Sequence, residues 1–367
     1  MKTIRRLIHG EIIKAVSFVA LGFLGLFVFF DIVDQLQALN RLASSGYQFN
    51  HALMYVILLI PGHLYELLPL SVLIGSIFVM ARFAQSSEFT ILRTGGLGPW
   101  QALSSLFKLG LIFVALTFFV GDYIAPLANR NAQLLKAKFQ GKITVGQTGA
   151  WLKEKQKDLN FAVNVSALNS DGQLAQVRIH AFSPDGRLRY ITTAPTAQIG
   201  DNEWVLTNAE QRHYNLDAAT TPRIDIQRSA QHHWPTEIST EMVAAALLSP
   251  DRMQTLDLFQ YMRHLDANGQ NAQRYEIEFW RKVFYPLSCL VMLSLALPFA
   301  YLHFRSGHVT GYVFGGVMAG ISFYLLNNVF GFMGNLNNWQ PWLTSAAPAL
   351  IYSAISLATF WWLVLRQ

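Results

Sequence analysis

The feature that most constrains this chain is a set of six apolar runs, each long enough to cross a lipid bilayer. A helix needs roughly 20 apolar residues to cross the hydrocarbon core. We predict spans at about 12–33, from a start between 52 and 61 to 83, and at about 102–124, 279–302, 309–332 and 342–365. Pro61, Gly62 and Pro69 interrupt the second run, which leaves open whether its upstream part is a separate interfacial helix.

The polar residues are concentrated between the third and fourth runs. Only 14% of the chain is charged, whereas soluble domains average about 25%. We therefore predict an α-helical membrane protein with an inserted domain: transmembrane helices 1–3 in 1–124, the inserted domain with helical stalks in 125–273, and transmembrane helices 4–6 in 274–367. The apolar run at 15–30 is long and no small-residue cleavage site follows it, so we expect a retained first span, not a signal peptide.

The inserted domain is predicted to be all-β. Partly alternating segments lie at 159–168, 174–182, 188–199, 203–214 and 223–234, with turn sequences between them. Short strands at this spacing are typical of an antiparallel sandwich, a jelly roll-like fold or an open barrel. The helical patterns at 129–142 and 257–282 would be its stalks.

The short loops show a charge asymmetry that predicts orientation. Lys and Arg near cytoplasmic span ends set the topology of membrane proteins. On one side lie Lys2, Arg5, Arg6, Lys14, Arg82, Arg93, Arg305 and Arg366. The short loops of the other side contain only Arg41. Both termini are therefore predicted to be cytoplasmic, and the inserted domain is predicted to face outward.

No catalytic motif is recognisable in the sequence. It lacks GxxxxGK[ST], HExxH, CxxC and GxSxG. His232 and His233 are adjacent and would face opposite sides of a strand, so we interpret them as surface histidines, not metal ligands. Cys289 is the single cysteine and excludes an internal disulfide. We predict a non-catalytic protein without metal or cofactor and, lacking any nucleic-acid motif, without a nucleic-acid partner.

Basic residues cluster where the third span ends. Arg130, Lys136 and Lys138 spread over part of one side of a helix. The residues alone favour a solvated stalk that touches anionic headgroups, and the alternative is a cradle for a phosphorylated lipid.

Glycines predict close helix packing in two spans. Gly311 and Gly315 are four residues apart, as are Gly316 and Gly320, and Gly22 with Gly25 forms a weaker pair. Whether these strips pack within the chain or against another chain is open.

The segment 86–94 is predicted to be a short cytoplasmic helix. Ser86 or Ser87 would cap it, Glu88 lies in its first turn, and Phe89 with Leu92 forms an apolar stripe. It is either a connector lying in the interface or a contact for a motor protein.

Five segments, in their order along the chain, resemble the lipopolysaccharide export permeases of the LptF/LptG family, and its LptG branch most. These are VDQL at 33–36, ARFAQSSEFTILRTGGLG at 81–98, GDYIAP at 121–126, GAWLKE at 149–154 and RYEIEFWRKVFYPLS at 274–288.

The resemblance implies a permease subunit of an ABC transporter in the Gram-negative inner membrane, with its jelly roll domain in the periplasm. It implies a heterodimer with an LptF-like permease, an LptB-like ATPase dimer that binds ATP, an LptC-like membrane-anchored protein and a periplasmic LptA-like bridge. Lipopolysaccharide would pass along that bridge to the outer membrane. The alternative is a scaffold or lipid-binding adaptor that moves nothing.

The resemblance also implies residue roles. Glu88, Phe89, Leu92 and Arg93 match the coupling helix, and Lys136, with Arg130 and Lys138, would face lipid phosphates. The glycine strips would lie at the subunit seam. This chain departs from the family at Asp31, near the outer end of the first span, where the family often has a Lys. Arg41 would replace that Lys as a lipid contact only in part.

Overall fold

The computed structural model describes residues 2–86, 88, 91, 94–96, 98–140, 149–156, 158–168, 173–200, 202–215, 223–239, 242–243, 246, 250–301 and 309–362. The chain divides into two compact units. The helical unit comprises Met1–Gln35, Val56–Ala128 and Glu276–Gln367, and the sheet unit comprises Leu36–Tyr55 and Asn129–Tyr275.

Long apolar helices form most of the helical unit. In the described ranges the main helices are α1 (Lys2–Leu42), α2 (Phe49–Gln85), α3 (Pro99–Phe119), α4 (Ala125–Gln140), α5 (Thr255–Ala267), α6 (Gln273–Phe284), α7 (Ser288–Ala296), α8 (Val309–Leu336) and α9 (Pro341–Phe360). A π-turn, Val120–Ile124, joins α3 to α4. Within the described ranges, five helical stretches are long and apolar enough to cross a membrane, and the bent pair of α6 and α7 makes six if it is one span. The predicted class of helical membrane protein is confirmed.

The second span is a single helix, so the option of a separate interfacial helix upstream is wrong. α2 runs unbroken through Pro61 and Pro69. Each proline removes only one backbone hydrogen bond, and such residues are tolerated in membrane helices whose neighbours pack around them. Neighbouring segments do pack around α2, since 78% of its apolar 18-residue window is buried inside the protein.

The fourth span differs from the predicted straight segment 279–302. Its helix begins at Gln273 and bends by 47° between α6 and α7, and a 3-10 turn, Leu297–Tyr301, continues it. Pro286 lies in the three-residue break. Proline lacks an amide hydrogen and restricts the residue before it, so a helix bends there.

One apolar cluster forms the core of the helical unit. Its fully buried members include Ile12 of α1, Leu73 of α2, Leu109 of α3 and Met292 of α7. α1 and α2 approach closely at Gly75, where an added Cβ would lie 2.7 Å from the backbone nitrogen of Val16. Glycine is therefore required at this crossing for steric reasons.

The sheet unit contains a six-stranded antiparallel sheet whose strands follow one another in sequence order. They are β1 (Ala150–Gln156), β2 (Leu159–Leu168), β3 (Gln173–Phe182), β4 (Leu188–Ile199), β5 (Glu203–Asn215) and β6 (Arg223–Pro235). The predicted inserted antiparallel β domain and its five predicted strands are confirmed. β1 was not predicted, because its inward positions alternate between apolar Leu152 and buried Glu154, which weakens the hydrophobic pattern.

The sheet curls so that its first strand meets the segment after its last strand. The Glu154 carboxylate accepts a hydrogen bond from the Thr236 hydroxyl at 2.6 Å and another from the Glu237 amide at 2.9 Å. The Gln156 side chain donates to the Pro235 carbonyl at 2.8 Å. These bonds satisfy a buried carboxylate and hold the two ends of the meander together, as in an open barrel.

Candidate functional site

The glycine pairs of α8 lie on two different surfaces. A Cβ at Gly316 would overlap the Ile77 side chain, and one at Gly320 would overlap the Leu70 side chain, so this pair packs against α2. No described atom lies within 4 Å of a Cβ built at Gly311 or Gly315. One strip is thus used within the chain, and the other faces open space.

The first helix has a similarly open face. No atom of the described chain comes within 4 Å of a Cβ built at Gly22 or Gly25. Only 11% of the apolar window of α1 is buried, and the corresponding value for the window in Val313–Leu336 of α8 is 17%. Small residues on an exposed apolar helix permit close approach of another helix. These two faces are the candidate seam for a second membrane subunit.

Asp31 on α1 is paired with a residue of α2. Its Oδ2 lies 2.8 Å from Nε2 of His63, and both side chains are about four-fifths covered, at 19% and 20% exposure. The ring of Phe27 lies 5.0 Å from the His63 ring. Ionisable groups among apolar helices are costly unless paired. The residue that departs from the family pattern therefore has a partner within this chain.

The predicted basic cluster is only partly described. Arg130 is exposed on α4. The Lys136 ammonium lies 5.0 Å from the centre of the Tyr55 ring, at the distance of a cation–π interaction. The side chain of Lys138 lies outside the described residues. Tyr55 was not singled out from the sequence, because nothing in the local pattern links it to a lysine 81 positions later.

Aromatic rings fix the same stretch of α4. The Phe139 ring lies 4.4 Å from the His51 ring and 5.2 Å from the Tyr47 ring. Tyr47 and Ala52 are buried in a small apolar cluster of the sheet unit. Together with the Tyr55 contact, these rings determine which side of α4 faces the start of α2.

The segment 86–94 is helical where it is described, at Glu88, Ile91 and Thr94. Glu88 and Ile91 are exposed. The Ser86 hydroxyl donates to the Arg82 carbonyl, so Ser86 completes α2 and does not cap the new helix. Gly96 has φ of 98°, the left-handed conformation that ends helices. The predicted contacts Phe89, Leu92 and Arg93, and Ser87, lie outside the described residues.

Ion pairs and hydrogen bonds anchor the helix ends next to this segment. Arg82, near the end of α2, lies 2.5 Å from a carboxylate oxygen of Glu11 on α1. The His9 ring on α1 contacts Ser105 of α3, with 3.0 Å to its carbonyl. These contacts join α1 to α2 and α1 to α3 next to the segment 86–94.

The histidines of the sheet have ordinary partners. His233 lies 3.2 Å from Glu203, and the His213 ring packs on Tyr190. Burial lowers the pKa of His232. Hydrogen bonds from Arg212 and Arg228 lower the pKa of the Glu210 carboxyl. Across the described ranges, no three His, Cys, Asp or Glu side chains come together as metal ligands would.

Of the contacts that sequence reasoning missed, the Asp31–His63 pair carries a sequence signal and the crossing at Gly75 carries none. Asp31 and His63 are each an ionisable residue within an apolar run, and such residues in neighbouring helices usually pair. Gly75, in contrast, looks like any glycine of an apolar run, and only the crossing of α1 and α2 shows why it is needed.

The sequence was compared with known families and proteins. Residues 6–362 match the family described as "Lipopolysaccharide export system permease LptF/LptG". The chain is 27% identical over 340 residues to the lipopolysaccharide export system permease protein LptG of Escherichia coli K12, covering 92% of this chain and 91% of that protein. It is 25% identical over 371 residues to LptG of Haemophilus influenzae, covering 100% and 99% of the two chains.

Proposed function

This chain belongs to the LptF/LptG family of lipopolysaccharide export permeases, and from that membership we propose that it is the permease subunit that extracts lipopolysaccharide from the inner membrane. The observation that carries the proposal is the family match over 6–362, which includes every helix of the helical unit in whole or in part and the entire sheet. The subunit itself is non-catalytic and contributes binding surfaces and movement.

The open faces of α1 and α8 would form the seam with an LptF-like permease. Their unpartnered glycines, Gly22 and Gly25 on α1 and Gly311 and Gly315 on α8, support this assignment. The lipid would enter the cavity between the two permeases. Helices of this kind associate through close van der Waals packing, because lipid tails are as apolar as the helices.

Phosphates of the lipid would be bound near Arg130, Lys136 and Lys138. Arg130 is exposed, and the Lys136 ammonium lies 5.0 Å from the centre of the Tyr55 ring. Asp31 would not serve as a phosphate contact, because it is an anion paired with His63. Each buried methylene of an acyl chain holds the lipid in the bilayer by about 0.8 kcal/mol, so extraction needs an external energy source.

That energy would come from an LptB-like ATPase dimer, which would bind and hydrolyse ATP, and this chain would need no cofactor. The segment 86–94 would contact the ATPase, with exposed Glu88 as the acidic group. Both termini would then lie in the cytoplasm and the sheet unit in the periplasm, which agrees with the prediction from the loop charges. The sheet would pass the lipid to an LptC-like protein and an LptA-like bridge.

The test is charge reversal at Glu88. We expect Glu88→Lys to weaken copurification of the ATPase roughly tenfold and to reduce lipid release in parallel, because it places like charges at the contact. Asp158→Lys is the matched control, an exposed carboxylate in a turn of the sheet unit. Association and release that stay at the wild-type level would overturn the coupling assignment. Purification from native membranes without any P-loop ATPase would favour the scaffold or adaptor.

A further inference from the structure

The π-turn between α3 and α4 leaves one backbone carbonyl without a donor from its own helix. The amide of Ala125 bonds to the carbonyl of Val120, five residues earlier. The next amide position is Pro126, which has no hydrogen to donate. The carbonyl of Gly121 therefore depends on a donor from another element. Unpaired carbonyls inside a packed helical unit are rare and costly.

Lys282 of α6 supplies that donor. Its Nζ lies 3.1 Å from the carbonyl oxygen of Gly121, and the residue is only 7% exposed. A buried ammonium is stable only when it is hydrogen-bonded or paired. The ammonium thus supplies the donor that the carbonyl needs, although the two residues lie 161 positions apart in the chain.

Glycine at position 121 lets the π-turn pack closely on α2. A Cβ there would overlap the ring of Tyr65 on α2, so no other residue fits without displacing that ring. Tyr65 packs on Tyr285 with ring centres 5.1 Å apart, and the Tyr285 hydroxyl donates to the Glu66 carbonyl at 2.5 Å. Tyr285 lies at the bend between α6 and α7. The π-turn, the bend and α2 are therefore joined at one place.

The π-turn also determines the rotation of α4. It adds one residue to a helical turn, and one residue corresponds to a rotation of about 100°. The face that α4 presents after the turn therefore differs by that angle from the face of an uninterrupted helix. Arg130 and Lys136 lie on this part of α4. Their direction depends on whether the π-turn is kept.

We propose that Lys282 is a positioning residue that stabilises the π-turn and thereby aims the basic face of α4 at the phosphorylated lipid. This inference rests on the proposed function, because it requires that α4 contacts the lipid. The residues involved lie in two segments that carry the family resemblance. Gly121 and Pro126 belong to GDYIAP, and Lys282 belongs to RYEIEFWRKVFYPLS.

The experiment places a photo-crosslinking amino acid at each position from 129 to 136 in the complete transporter, reconstituted in vesicles that contain lipopolysaccharide. In the wild-type background we expect lipid crosslinks at a few positions on one face. Lys282→Met keeps a similar side-chain length without a donor. We expect it to spread the crosslinks to neighbouring positions and to reduce lipid release roughly tenfold. Lys108→Met, at an exposed lysine of α3, is the matched control and should change neither.

A second variant separates positioning from general loss of packing. Deleting Tyr123 together with Pro126→Ala lets the amide of the new alanine bond to the Gly121 carbonyl in ordinary helical geometry, and it keeps the rotation of α4. Added to Lys282→Met, these changes should restore the wild-type crosslinking pattern. Lys282→Arg, which keeps a donor, should also retain it.

The outcomes are distinguishable. A Lys282→Met transporter with wild-type crosslinks and release overturns the positioning role and leaves the proposed function intact. A rescue variant that remains as impaired as Lys282→Met also overturns it, and this holds even where Lys282→Met alone fails to insert. Absence of crosslinks along α4 in the wild-type background overturns the proposed lipid contact and this inference with it.

Discussion

The first two helices are almost equally apolar, and yet they are used in opposite ways. The mean hydropathy of their apolar windows is 2.4 for α1 and 2.0 for α2, whereas 11% of the first and 78% of the second are buried. The bilayer selects apolar side chains on every span, and only neighbouring helices decide which of them are covered. Apolarity therefore does not locate the core of such a protein. The exposed helix is the one available to a partner or to lipid.

The sharpest way to test this contrast is to enlarge one glycine on each helix. Gly75→Leu should destabilise the isolated chain by about 3 kcal/mol, because the backbone of Val16 blocks the new side chain and cannot rotate away. Thermal and denaturant unfolding of the purified chain in detergent measures this. Gly25→Leu is the matched control and should not destabilise the chain, because its site is open and leucine favours helix over glycine. Similar losses for both variants would contradict the contrast between the two helices.

The Asp31–His63 pair is the next test, since it joins the exposed helix to the buried one. His63→Leu should cost about 2 kcal/mol, less than a fully buried pair, because it leaves a partly covered carboxylate unpaired. The double variant Asp31→Leu with His63→Leu should recover most of that loss. The measurement is a double-mutant cycle on unfolding of the isolated chain. Additive losses would show that the two side chains do not interact.

The smallest expected effects are two changes in the free energy of unfolding, of opposite sign, for two glycine substitutions in α8. Gly320→Ala should destabilise the chain by about 1 kcal/mol, because the new methyl group meets the flexible end of Leu70. Gly315→Ala should stabilise it by about 0.5–1 kcal/mol, because alanine favours helix and the site is open. The same unfolding assay compares them. Equal signs would mean that both strips have the same environment.

The local patterns predicted most of the fold. β2 and β4 have the predicted bounds, Leu159–Leu168 and Leu188–Ile199, because alternation along a strand is visible without knowledge of its partner. The helices extend beyond the predicted spans: the first span was predicted at about 12–33, and the helix α1 extends over Lys2–Leu42. Hydropathy detects only the part suited to the hydrocarbon core, whereas backbone hydrogen bonding continues the helix through polar residues on both sides.

The sequence predicted which kinds of candidate site the chain contains, but not which residues contact one another there. The sequence indicated that glycine strips, a basic stalk and a short charged helix exist, because each is a pattern within about 10 residues. It left open that Gly316 and Gly320 pack within the chain whereas Gly311 and Gly315 do not. It also did not indicate that Tyr55 lies under Lys136.

By itself the sequence determined the apolar segments, the alternating segments and their order, and hence a helical membrane protein with an inserted sheet. Those properties follow from periodicity, which is local. Only the tertiary structure decided that Asp31 meets His63, that Gly75 meets Val16 and that Lys282 meets the Gly121 carbonyl. Such contacts join distant parts of the chain. They depend on how whole helices pack, and packing is a property of all the side chains together.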